Sequence, residues 1–266
     1  MSVFQKIVIG ARERLAREAN LCVLPNEERA KLFRQQTGTN RPVECVWNVP
    51  RLEEVAPAKK KPDLGDRLKI FYGGSLSSDR LSSVVLEQIV KLHPKVQLHI
   101  VGYATYQHQE LLTAIESYAQ RGLLKFHGPK PRAQIWAVAD LCEVALCLMP
   151  KKSTDLNLKS MVGASNKPFD AMARGLAVLV SDIPDWKKLY LPGNNHEGGK
   201  GYWISDMGYG IAINPECEES IRGGLEWMLG NREKLWEMGE RGRQKIQKEW
   251  NYERMFAPVL TRLEIK

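Results

Sequence analysis

Short β-branched or apolar runs alternate with amphipathic helical stretches along most of this chain, and that alternation constrains its fold more than any other feature. It is the pattern of parallel βαβ units, so it predicts an α/β protein whose parallel sheet is flanked by helices. Residues 11–19 read as a helix and 21–24 as a short strand. Asn26 then caps a helix with Glu27 and Glu28 in its first turn and Gly38 past its end. A second strand follows at 43–47. From Val49 to Arg67 the composition shifts to Pro57, Pro62 and the run Lys59-Lys60-Lys61, which reads as an exposed connection between two bodies. Beyond it come strand 68–72, helix 79–92, strand 96–101, helix 107–121, strand 123–126, helix 132–139 and strand 143–148. A loop of about sixteen residues, 150–165, breaks the rhythm. A helix over 166–174 stopped by Gly175, a strand over 176–180 and a turn at Asp182-Ile183-Pro184-Asp185 come next. An irregular stretch over 192–210 precedes a helical tail from Glu216, which ends in an amphipathic segment at 251–263.

Composition narrows the function. Lys and Arg total 39 against 31 Asp and Glu, a formal charge of +8, which favours anionic partners. Nucleic acid has that charge in its favour but no recognition motif, so it is not expected as a partner. The five cysteines form no C-x-x-C pair and mostly sit in apolar runs, as buried reduced thiols of a cytosolic protein do. No window is long and apolar enough to span a bilayer, and the first ten residues show no convincing export signal. The histidines lack metal-ligand spacing, and no metal or cofactor is expected. The three-lysine run is a solvated linker or a contact for an anionic membrane surface.

In open α/β sheets ligands bind at the carboxyl ends of strands, so the loops there are where chemistry is sought. Gly73-Gly74-Ser75-Leu76-Ser77-Ser78-Asp79-Arg80 follows the first strand of the main body. Paired glycines let a backbone approach a phosphate, the next helix start would offer free N–H groups, and Arg80 adds a full charge. The same segment also describes a plain strand-to-helix turn with a surface arginine; it is neither a G-x-G-x-x-G fingerprint nor a P-loop. The second constellation is Gly163-Ala164-Ser165-Asn166-Lys167-Pro168-Phe169-Asp170, in which Lys167 and Asp170 lie one turn apart on nearly the same helix face. They could hold a diphosphate and a ribose together, or form an ordinary exposed ion pair.

The run from Ser165 through Gly175, SNKPFDAMARG, followed by the buried strand Ala177-Val178-Leu179-Val180-Ser181-Asp182, resembles the donor-binding signature of family 4 retaining glycosyltransferases of the GT-B fold. Gly73-Gly74, the strand end Phe126-His127-Gly128-Pro129 and the strand Tyr209-Gly210-Ile211-Ala212 fit the same order, from about residue 68 to the end. The resemblance implies that residues 67–250 form a Rossmann-like donor-nucleotide domain and 251–266 a crossing helix. Residues 51–66 are then the linker, and 1–50 match only the end of the amino-terminal, acceptor-side domain. The crossing helix would accordingly seek a surface that is mostly missing.

Carried over position by position, the resemblance implies that Gly73, Gly74, Ser75 and Arg80 cradle the donor diphosphate, with Lys167 as a second cation. Asp170 would hold the ribose hydroxyls. The turn from Gly128 through Pro129 and Lys130 to Arg132 would receive the base, mainly by backbone, and Ser165 and Asn166 would face the sugar. Two departures stand out: relatives often carry an acid eight positions before the ribose carboxylate, where this chain has Val162, and an arginine where it has Ser75. Asp155 and Asn157 are candidate substitutes for sugar contact. The implied activity is transfer of a sugar from a nucleotide diphosphate with retention, by a cytoplasmic or inner-face peripheral protein. The alternative is a non-catalytic or split-enzyme donor-binding subunit that needs a separate amino-terminal domain or an oligomer.

Overall fold

The computed structural model describes residues 2–58, 65–153, 155, 158 and 160–264. Asn157 and the run Lys59-Lys60-Lys61 lie outside the described residues. A first unit contains α1 (Val3–Glu18), β1 (Cys22–Leu24), α2 (Glu27–Thr37) and β2 (Val43–Cys45), with β1 and β2 paired in parallel. α1 starts well before residue 11 because Ser2 and Gln5 form a reciprocal capping box. In α2 the Asn26 side chain accepts from the Arg29 N–H, and Gly38 closes the helix at φ 60°.

After a short 3₁₀ turn at Leu52–Glu54 come β3 (Leu68–Gly73), α3 (Ser83–Lys91), β4 (Val96–Val101), α4 (Gln109–Gln120), β5 (Lys125–Phe126), α5 (Arg132–Ala139) and β6 (Val144–Cys147). Then follow α6 (Lys167–Ala173), β7 (Ala177–Ser181), α7 (Pro184–Tyr190), β8 (Asn195–Gly198), β9 (Tyr202–Ser205) and β10 (Gly210–Ile213). α8 (Glu218–Gly230), α9 (Arg232–Lys248) and α10 (Tyr252–Arg262) close the chain. One eight-stranded sheet has the order β5-β4-β3-β6-β7-β10-β9-β8; it is parallel through β10 and antiparallel at β9 and β8.

Alternate residues of each strand feed two cores. Leu68, Ile70, Tyr72, Leu98 and Ile100 pack with α3, α4 and α8 on one face. Phe71, Val101, Ala145, Cys147 and Val178 pack with α6, α7 and Ile246 of α9 on the other. The connection leaving β3 therefore covers one face and that leaving β6 the opposite face, which opens a crevice where these neighbouring strands diverge.

Several expectations change. The 192–210 stretch contains the β8–β9 hairpin, and Pro184 opens α7 rather than making a turn, since its fixed φ and missing N–H suit a first helical position. α3 begins at Ser83, not 79, because the Ser82 side chain caps it by accepting from the Val85 N–H. Only Cys142 and Cys147 are buried; Cys22, Cys45 and Cys217 are half-buried, and none of the five is in a disulfide. α10 does find a surface within the chain. The Tyr252 N–H donates to the Pro50 carbonyl, Glu253 accepts from the Leu52 N–H, Arg262 pairs with Glu44, and Val259 is buried.

The two units are joined through an aromatic cluster. Phe169 of α6 is fully buried, stacked on Trp47 at 5.7 Å between ring centres and met edge-on by Trp250 at 5.8 Å. Asn48 adds two bonds, its N–H to the Gly163 carbonyl and its side-chain amide to that of Ala164. The segment entering α6 is thereby held from the first unit.

Candidate functional site

At the carboxyl ends of β3 and β6 lies an open cleft of about 160 Å³, lined by Gly73, Gly74, Arg132, Trp136, Lys167 and Asp170 among others. The glycine turn and the Lys167 helix start singled out in the sequence meet in its wall. Gly74 has φ +116°, and a Cβ there would come within 3.0 Å of Lys167 Cε, so the lysine lies directly against the glycine turn. Gly102 makes the turn's position feasible, because a Cβ at that residue would sit 1.9 Å from the Gly74 carbonyl oxygen.

The Lys167 ammonium donates to Tyr72 Oη at 3.2 Å and sits 4.5 Å from the centre of that ring. Tyr72 Oη in turn donates to the Ser75 carbonyl at 2.7 Å, and Arg80 Nη1 donates to Ser75 Oγ at 2.9 Å. Burial, with Arg80 nearby, pulls the Lys167 pKa down to about 8. A cation destabilised in this way gains from an anion placed beside it. The expected helix-start amides contribute less: α3 begins beyond the glycine turn, and α6 starts Lys167-Pro168, where proline has no N–H. The positive charge at this end thus rests on side chains, Lys167 in the cleft wall and Arg80 on the adjoining turn, whereas Arg132 and Arg174, which also line the cleft, pair with Asp170 and Asp140.

At the other end, Asp170 Oδ1 accepts from Arg132 Nη2 at 3.0 Å, and Arg132 Nε reaches Glu54 Oε1 at 2.8 Å. The Arg132 guanidinium lies over Trp136, 4.6 Å from the ring centre. Burial pushes the Asp170 carboxyl up to about 6, against the opposing pull of Arg132, so the group is chiefly ionised at neutral pH and can accept from hydroxyls.

Other predicted residues are placed less centrally. Asn166 is exposed and lines the cleft beside Lys167. Ser165 is buried, with its N–H on the Met161 carbonyl. Asp155 is exposed on the loop after β6, its N–H on Ser153 Oγ at 3.0 Å. Gly128, Pro129 and Lys130 do not line the cleft; the Gly128 carbonyl accepts from the Gly102 N–H at 3.0 Å, and Pro129 and Lys130 are exposed. Of that predicted turn Arg132 does line the cleft, together with Trp136 one helical turn further on. Sequence reasoning missed Tyr72: the period-2 set Leu68, Ile70, Tyr72 marks it as a core residue, and only the fold brings its hydroxyl to the Ser75 carbonyl and Lys167. It also missed the Arg132–Trp136 pair, whose i,i+4 spacing was visible.

A family model described as glycosyl transferase-like matches residues 80–261. No curated protein matches the sequence. Anabaena Alr3699/HepE, solved with UDP and glucose, superposes with a TM-score of 0.66 at 13% identity over 97% of this chain and 67% of its own. The carboxy-terminal domain of the group 1 glycosyl transferase LpcC from Francisella tularensis gives 0.53 at 16% identity, over 76% of this chain and 98% of that domain. WaaG, a glycosyltransferase involved in lipopolysaccharide biosynthesis, gives 0.60 at 12%, over 90% and 61%. These matches share the GT-B architecture, and with two-thirds of its length inside the family model the chain belongs to the glycosyl transferase-like family.

Proposed function

We propose that this chain binds a nucleotide-diphosphate sugar and acts as a retaining, family 4-type glycosyltransferase. The observation that carries the reading is the meeting of Gly74, Lys167 and Asp170 in one cleft at the divergence of β3 and β6, with Arg80 tied to the same turn. The set of groups suits a nucleoside diphosphate: cations for the phosphates, and a carboxylate for the ribose. The UDP bound in HepE supports UDP as the first donor base to try.

In the proposed reaction the bond from the anomeric carbon to the phosphate oxygen breaks, and the acceptor oxygen bonds to the same face. The acceptor proton passes to the leaving phosphate. Arg80 and Lys167 stabilise the charge that develops on that phosphate, and two such side chains supply the neutralisation without a metal ion. Asp170 orients the ribose, and Asn166, exposed in the cleft wall, and Ser165 are proposed sugar contacts. Asp155 and Asn157 stay proposed sugar contacts, as does the 128–130 turn for the base. The proposed place of action is the cytoplasm or the inner membrane face; no helix among the described residues is long and apolar enough to cross a membrane.

The second reading, a donor-binding subunit that transfers only with a separate acceptor domain, is favoured by one fact: about a third of the HepE chain lies outside the part superposed. Calorimetry with UDP-, GDP- and ADP-sugars, followed by donor-hydrolysis and transfer assays with NMR of the product anomer, tests both. Binding with turnover supports the transferase; binding without turnover supports the subunit; no binding by any of the three overturns both.

A further inference from the structure

Two cations that must act on one diphosphate have to be held apart at a fixed spacing, although each repels the other. Arg80 lies in a turn and Lys167 at the start of a helix on another strand connection, and among the described residues no carboxylate bridges them. What joins them is a single chain of hydrogen bonds. Arg80 Nη1 donates to Ser75 Oγ at 2.9 Å, Tyr72 Oη donates to the Ser75 carbonyl at 2.7 Å, and Lys167 Nζ donates to Tyr72 Oη at 3.2 Å. Tyr72 is 1% exposed, so its hydroxyl is removed from water, and both its donor and its acceptor capacities are used within this chain.

We infer that Tyr72 and Ser75 are positioning residues that set the spacing of Lys167 and Arg80 for a diphosphate, an inference that rests on the donor-binding reading above. The Ser75 hydroxyl accepts from Arg80 and so holds that guanidinium on the glycine turn. Tyr72 does two jobs at once. Its ring lies under the Lys167 ammonium, and its oxygen accepts from it, which favours the charged lysine against the burial and the Arg80 charge that disfavour it. The other groups facing Lys167 are the buried Cys147 thiol of β6 and, one turn along its own helix, Asp170, which is engaged by Arg132.

The test is UDP affinity by calorimetry as a function of pH. In the wild type, affinity falls above about pH 8 as Lys167 loses its proton. Tyr72→Phe keeps the ring and removes the acceptor. It is expected to weaken UDP about tenfold at pH 7, the scale of one hydrogen bond to a charged group, and to move the fall in affinity to lower pH. Ser75→Ala leaves the main-chain carbonyl and the Tyr72 link intact, so it should weaken UDP several-fold without moving that midpoint. In a Lys167→Ala background, Tyr72→Phe should add nothing further. Unchanged affinity and an unchanged midpoint in Tyr72→Phe overturn the inference while wild-type binding upholds the donor site. If Tyr72→Phe does not fold, an unchanged affinity in Ser75→Ala overturns it. A wild type that binds neither UDP nor inorganic pyrophosphate overturns both the inference and the reading beneath it.

Discussion

Replacing Lys167 with methionine should make the protein more stable and, at the same time, remove its affinity for UDP. The lysine pKa lies at about 8 instead of 10.5 because burial and Arg80 disfavour its charge. At neutral pH that difference corresponds to about 3 kcal/mol against the charged form in the fold. Lys167 keeps partial contact with water, so a net gain of about 1–2 kcal/mol on its removal is the reasonable figure. Because the folded-state pKa is lowered, the unfolded chain binds the extra proton between about pH 8 and 10.5. Wild-type stability therefore rises through that window, and the variant lacks this rise. Urea unfolding of both proteins at several pH values measures the gap, which should be widest near pH 7 and narrow as pH increases. The same samples give UDP affinity by calorimetry, with a loss of ~10²-fold or more in the variant, the scale of removing a strong charge-stabilising group. A variant that is destabilised at pH 7 and still binds UDP would refute the argument that this cation is kept for an anionic ligand.

Asp170→Asn should weaken UDP about tenfold and leave inorganic pyrophosphate unaffected, as expected for a group that meets the ribose. Since burial raises the Asp170 carboxyl to about 6, the wild type should lose its advantage over this variant as pH falls below 6, and calorimetry of the pair at matched pH checks it. Phe169→Ala should cost about 3–5 kcal/mol in urea unfolding, because it empties the fully buried centre of the Trp47–Trp250 cluster that holds α6. UDP affinity and any transfer rate should be unchanged by EDTA; a fall would assign part of the phosphate charge to a metal.

The strand–helix alternation made the parallel sheet legible, because each strand buried on both faces is a continuous apolar run such as Ala177–Ser181. The β8–β9 hairpin was not, since Asn195–Gly198 is mostly exposed and carries no apolar alternation. The glycine turn and Lys167 were both visible, yet nothing local shows that they meet: residues 74 and 167 are brought together by the sheet order, which places β3 beside β6. Arg132 illustrates the same limit. Its guanidinium reaches Asp170 and Glu54, one partner on α6 and the other in the turn before β3, and only tertiary structure assembles that triad.

The most direct measurement of the central claim is a crystal structure of the protein with UDP. The account predicts the diphosphate in the cleft where Lys167 meets the Gly74 turn, within hydrogen-bond distance of the lysine and of Arg80, with the ribose hydroxyls on Asp170. UDP bound away from Lys167, or a diphosphate turned out to solvent while the base alone is held, would contradict it.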